Sequence, residues 1–148
     1  MDSFEDLFFE SGGKPIDYKG IILQMVDQID ISKNSICLIE ILKSKSKWKQ
    51  GINFSTEGSF KINNEIVYNS IVFWENTAPK KFELHIVSDS GILWVKNVWD
   101  TGDGFMNSWQ NGSAMIVKNV DDGKMYYCND GEMNEDFDDI IFSLKMVG

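Results

Sequence analysis

Along most of this chain apolar and polar residues alternate with a period of two, the mark of strands with one wet face. Phe82, Leu84 and Ile86 alternate with Lys81, Glu83 and His85, which predicts a strand with its apolar side inward. Ile36–Leu42 is apolar on both sides, with Cys37, Ile39 and Ile41 on one and Ile36, Leu38 and Leu42 on the other, and is expected to be a covered central strand. Ile21–Val26, Ile66–Trp74, Ile92–Val98, Ala114–Val120 and Met125–Cys128 read as further strands. Ile52–Phe54 and Ser59–Ile62 flank Glu57-Gly58, expected as a hairpin, with Asn63-Asn64 as the next turn. Asp103-Gly104, Asn111-Gly112 and Asp122-Gly123 are turn dipeptides. At the end of the chain Ile140, Phe142, Leu144 and Met146 alternate with Ile141, Ser143 and Lys145.

Short strands at spacings of about 8–12 residues predict an all-β fold: a two-sheet antiparallel β-sandwich of jelly-roll type with about nine or ten strands. Residues 1–148 read as a single domain, with 1–19 as an N-terminal extension. In that extension Phe4, Leu7, Phe8 and Phe9 form either one helical turn or a docking strand, broken by Ser11–Pro15. The expected core draws on Leu38, Ile39, Ile41, Phe73, Phe82, Leu84, Ile86, Val95, Ile116, Ile140, Phe142 and Leu144.

Composition narrows the function classes. Net charge is −9, and all fourteen basic residues are Lys. Residues 1–74 hold eight Lys and ten acids, residues 75–148 six Lys and thirteen acids, so the acidity lies in the second half. Nucleic acid is therefore not an expected partner, since phosphate binding needs clustered cations. Without Arg there is no bidentate guanidinium fork for phosphate or carboxylate. Apolar runs are too short for membrane insertion, and the acidic N-terminus lacks the positive start of a secretory signal. A cytoplasmic protein, or one released without a signal peptide, is expected. Cys37 and Cys128 sit in apolar strand runs and read as buried free thiols rather than a bridge.

Candidate chemistry concentrates in three stretches. Between Asn129 and Asp139 six of eleven residues are acidic and none is basic. Asp130, Glu132, Asn134, Asp136, Asp138 and Asp139 supply oxygens of the kind that bind hard cations, calcium above all. The stretch is not an EF-hand, because Glu135 stands at its glycine position and Ile141 at its bidentate glutamate. The other reading is a solvated acidic turn that protects a sheet edge. Next, Lys43, Lys45, Lys47 and Lys49 alternate with Ser44, Ser46 and Trp48. On one strand face they would either blunt an edge or dock an anionic partner, including the acidic loop of a second copy in self-association. Lastly, Trp99–Trp109 is a polar, Gly-containing loop with an aromatic at each end. Trp99, Asp100, Asp103, Asn107 and Trp109 would suit a lectin-like glycan site, with ring faces stacking on sugar.

The segment Asn134-Glu-Asp-Phe-Asp-Asp-Ile-Ile-Phe142 resembles the D-x-D-[FY]-[ND]-D-[LIV]-[LIV]-F segment of bacterial extracellular β-sandwich modules, in which the aspartates are associated with calcium. The resemblance implies Asp136, Asp138 and Asp139 as ligands; the first aspartate of the pattern is Asn134 here. No catalytic residue is expected: His85 is the sole histidine, and no G-x-S-x-G element or zinc-type spacing occurs. Two functions follow. One is a non-catalytic, calcium-stabilised binding module for a glycan or surface ligand. The other is a cytosolic acidic protein–protein partner, such as an immunity or inhibitor protein that covers a basic target.

Overall fold

The structure, a computed structural model, describes residues 3–147. One helix, α1 (Phe4–Ser11), precedes eleven strands: β1 (Ile16–Tyr18), β2 (Ile21–Leu23), β3 (Asp27–Asp30), β4 (Asn34–Ser44), β5 (Lys49–Ile62), β6 (Glu65–Trp74), β7 (Lys81–Ser88), β8 (Ile92–Asp100), β9 (Ala114–Val120), β10 (Gly123–Asn129) and β11 (Ile140–Met146). The fold is all-β and antiparallel throughout.

Helix α1 forms because both its ends are capped. The Ser3 hydroxyl accepts from the Asp6 amide, and Asp6 accepts in return from the Ser3 amide, a reciprocal capping box. Gly12, at φ +70°, ends the helix in the left-handed conformation. Phe4 and Phe8 are buried on the inner side.

β1 and β2 make a small ribbon of their own. The other nine strands form one hydrogen-bonded sheet in the order β3-β8-β5-β7-β4-β11-β10-β9, with β6 alongside β5. Its two ends are brought together by the chain between β2 and β3. Gln24 exchanges two backbone hydrogen bonds with Met115 at the start of β9, of 2.9 and 2.8 Å. Three residues later Asp27, in β3, accepts from Tyr126 Oη at 2.7 Å and Lys124 Nζ at 2.9 Å, both in β10. The sheet therefore curls until it is nearly a barrel.

β5 is one long strand where a hairpin was expected at Glu57-Gly58. Its register against β6 shifts between Ser55 and Ser59, and its first half pairs with β8 while its second half pairs with β7. Gly58 marks the shift. A Cβ there would lie 1.9 Å from the Val87 carbonyl oxygen, so only glycine lets the strands approach at this corner. The hairpin turn is Asn63-Asn64, both at positive φ (49° and 67°), the geometry whose twist matches paired strands.

The main core lies inside the curled sheet, built on Ile39, Ile52, Phe54, Leu84, Val95 and Phe142 among others. Each fully buried side chain of this size contributes about 1.5–3 kcal/mol by removal from water. Tyr126 and Phe142 stack at 4.5 Å. Two residues expected in the core lie elsewhere: Leu38 and Ile116 are half-buried, because their strands turn the alternate residues inward. A second cluster joins the N-terminal segment to the sheet end through Phe4, Phe8, Leu23 and Ala114, with Tyr18 and Phe137 against it. Cys37 and Cys128 are buried free thiols. Among the described residues no helix is long and apolar enough to cross a membrane.

Candidate functional site

Sheet order decides what meets what. Ser44 pairs with Ile140, Cys128 with Ile140, Asn129 with Ala114, and Lys49 with Asp100. The connections β4–β5, β8–β9 and β10–β11 therefore all leave the same end of the sheet. These are the lysine ladder, the aromatic loop and the acidic loop.

The acidic loop is organised from within by Asn129, a residue the sequence reading passed over. It is fully buried, its Oδ1 accepts from the Phe137 amide at 2.6 Å, and its Nδ2 donates to the Asn134 carbonyl at 2.7 Å. Phe137 turns back at φ +53° and packs toward Phe4.

The carboxylates expected around one cation are dispersed onto separate partners. Asp130 is fully buried and accepts from Ser46 Oγ at 2.7 Å, Gln50 Nε2 at 2.9 Å and the Glu132 amide at 3.0 Å. Asp139 is also buried, and its Oδ2 accepts from the Asp130 amide at 2.9 Å. Burial pushes the Asp139 acid up to about 7; the Asp130 and Asp138 charges add to this, and the Asp130 N–H opposes it. Asp138 meets Lys43 at 3.5 Å and Lys45 at 3.6 Å, and Glu132 meets Lys47 at 2.8 Å. Asp136 and Asn134 stay at the surface side of the loop, where Asn134 Oδ1 accepts from the Asp136 amide. Among the described residues no group of three or more His, Cys, Asp or Glu side chains is gathered to hold a metal.

The lysine ladder thus has its anionic partner within the same chain. It is not one strand: β4 ends at Ser44 and β5 begins at Lys49, and the lysines between them fan out to different acids. The hydrogen bond it donates to Glu132 holds the Lys47 ammonium above the usual lysine range.

The aromatic loop is pinned at both ends. Asp100 Oδ1 accepts from the Gly102 amide at 2.7 Å and the Gly104 amide at 3.2 Å, and Oδ2 faces Lys49 at 3.6 Å. The Gly102 N–H, then the Gly104 N–H and Lys49, hold its carboxyl below the usual range against the opposing effect of burial. Asp103 accepts from the Phe105 amide, and Asn107 pairs with Trp99 backbone to backbone. Trp99 was expected to be an open sugar platform. It is 1 % exposed, enclosed against Gly131, where a Cβ would lie 2.8 Å from Trp99 Cζ2. Trp109 is 42 % exposed, but Lys96 Nζ sits 4.0 Å from its ring centroid, and its Nε1 donates to the Met25 carbonyl. Burial lowers the Lys96 ammonium, which also approaches Ser108 Oγ at 3.3 Å. Two residues not singled out in the sequence are the most open apolar groups of the loop: Phe105 is 71 % and Met106 46 % exposed. Their polar, glycine-rich setting hid them, since no strand periodicity marks them.

No protein-family model, curated protein or solved structure matches the chain.

Proposed function

We propose that this chain is a non-catalytic binding protein whose partner is another protein, one that presents positive charge. The observation that carries the reading is the loop of residues 101–113, which holds Phe105, Met106 and Trp109 open to solvent while its backbone is tied to Asp100 and Trp99 and the Trp109 indole N–H to the Met25 carbonyl. An ordered loop that exposes large apolar groups supports docking into a complementary pocket. The charge around it agrees. Glu5 of α1 is bonded to Asn111 through its backbone amide at 2.8 Å and through its carboxylate at 2.7 Å. Glu5 and Asp103 have no ion-pair partner among the described residues. An apolar tip beside unpaired carboxylates suits an acidic immunity or inhibitor protein covering a basic target.

The jelly-roll reading belongs with this proposal: the corner of β5 at Gly58 would mark where two layers of a sandwich join. The glycan reading keeps Trp109 and Asn107 but loses the second platform at Trp99, and it carries less weight for that reason.

The test is capture by the immobilised protein from cells of its source, with a Phe105→Ser/Met106→Ser variant beside it. A specific protein should be retained, released by raised salt, and lost by the variant. Retention that ignores both loop and salt, or binding to a glycan array abolished by Trp109→Ala with no protein retained, would overturn the reading.

A further inference from the structure

A groove of about 320 Å³ lies between the β1–β2 ribbon, the outer side of β9 and β10, and residues 135–137. It is separate from the aromatic loop. Tyr18, Tyr127 and Phe137 bring three aromatic rings to it, and Glu135 and Asp136 bring two carboxylates. Tyr127 faces outward because Tyr126 and Cys128, its neighbours on β10, fill the core.

The rings already attract ammonium groups of the chain itself. Lys19 Nζ is 4.9 Å from the Tyr18 ring centroid and 3.9 Å from Glu135 Oε1. Lys118 Nζ is 5.1 Å from the Tyr127 ring centroid. A cation held between a ring face and a carboxylate is a recognition mode in its own right, with the ring quadrupole and the anion adding. Here its occupant is weakly held: the Lys19 and Glu135 side chains are 70 % and 52 % exposed, and pairs this open contribute little. The Asp136 carboxylate has no ion-pair partner among the described residues; with Glu135 it balances Lys19 and Lys118, the two solvent-side ammonium groups of the groove that an incoming cation would displace. The net charge of −9 further favours cations over anions near the surface.

We propose that this groove binds an alkylammonium ion, with Tyr18, Tyr127 and Phe137 supplying ring faces and Glu135 and Asp136 the counter-charge. A quaternary ammonium suits it better than a primary amine. It has no N–H donors that need hydrogen-bond acceptors, and it is the class of cation that aromatic cages take. Small-ion binding here does not depend on the protein-partner reading, and the Phe105→Ser/Met106→Ser variant should bind the ion unchanged.

The experiment is an NMR titration of the whole chain with choline chloride, with NaCl and with dimethylbutanol, in which carbon replaces the choline nitrogen. Choline should give saturable shifts centred on Tyr18, Tyr127 and Phe137, and the neutral analogue and NaCl should not. Asp136→Asn with Glu135→Gln, both at exposed or half-exposed positions, should weaken choline several-fold while leaving the core resonances in place. Tyr127→Leu should remove the saturable response. The same isotherm for the neutral analogue, shifts that stay linear with choline, or indifference to the two carboxylates would each overturn the proposal.

Discussion

An Asp139→Asn substitution should flatten the pH dependence of stability. Asp139 is 4 % exposed and lies against the fully buried Asp130, whose carboxylate is committed to Ser46, Gln50 and the Glu132 amide. Asp139 is pushed up to about 7 in the folded protein, from a value of 3.8 in the unfolded chain. The folded state therefore holds a proton through the range in which the unfolded chain has released it. Stability from this group is complete below about pH 4 and is lost as pH rises toward 7. At 1.36 kcal/mol per unit the loss is on the order of 4 kcal/mol.

The amide of the variant has the same shape as the protonated acid. Its carbonyl oxygen can accept the Asp130 amide, and its NH₂ takes the place of the acid hydroxyl without a charge. Urea unfolding followed by tryptophan fluorescence, in steps from pH 4 to pH 8, should give coincident midpoints for the two proteins at the acid end. The variant should become the more stable one by pH 8. The difference between the proteins is the quantity to read, because the depressed Asp100 and the other carboxylates contribute equally to both. Parallel curves, or a variant weaker at pH 8, would refute a buried Asp139 that holds its proton to about pH 7.

Phe142→Ala removes a fully buried ring stacked on Tyr126 and should cost about 3–5 kcal/mol, read as a lower urea midpoint at unchanged slope. Millimolar Ca²⁺ added to chelator-stripped protein should shift the melting temperature no more than Mg²⁺ or NaCl of matched ionic strength, since Lys43, Lys45 and Lys47 already face Asp138 and Glu132. A calcium-specific rise would show that the loop rearranges around the ion.

The strands were legible wherever one face is wet. β7 alternates buried and exposed along its whole length, as Phe82, Leu84 and Ile86 against Lys81, Glu83 and His85 require. β5 was not, because a long strand with a bulge has the same local signature as two short strands and a turn: a polar break with a glycine between apolar runs. What distinguishes them is the approach of Val87 to Gly58, a contact between residues nearly thirty positions apart. Burial of Trp99 had the same kind of cause. Its cover is Gly131, on a different connection, so neither stretch alone announces it.

The charges make the limit sharpest. The lysine ladder and the acidic loop were each visible as patterns, and so was their complementarity. Complementarity alone does not say whether the partner is a cation, a second copy or the same chain. That choice rests on β11 lying between β4 and β10, which brings residues 43–49 beside residues 130–138 across some ninety positions of sequence. Once that order is formed, Lys47 reaches Glu132 at 2.8 Å, and Lys43 and Lys45 face Asp138 at 3.5 and 3.6 Å, with no ordering of a second molecule. Asp136 in the groove, and Glu5 and Asp103 at the aromatic loop, take no part in these ion pairs, and there charge remains free to act on something other than the protein itself.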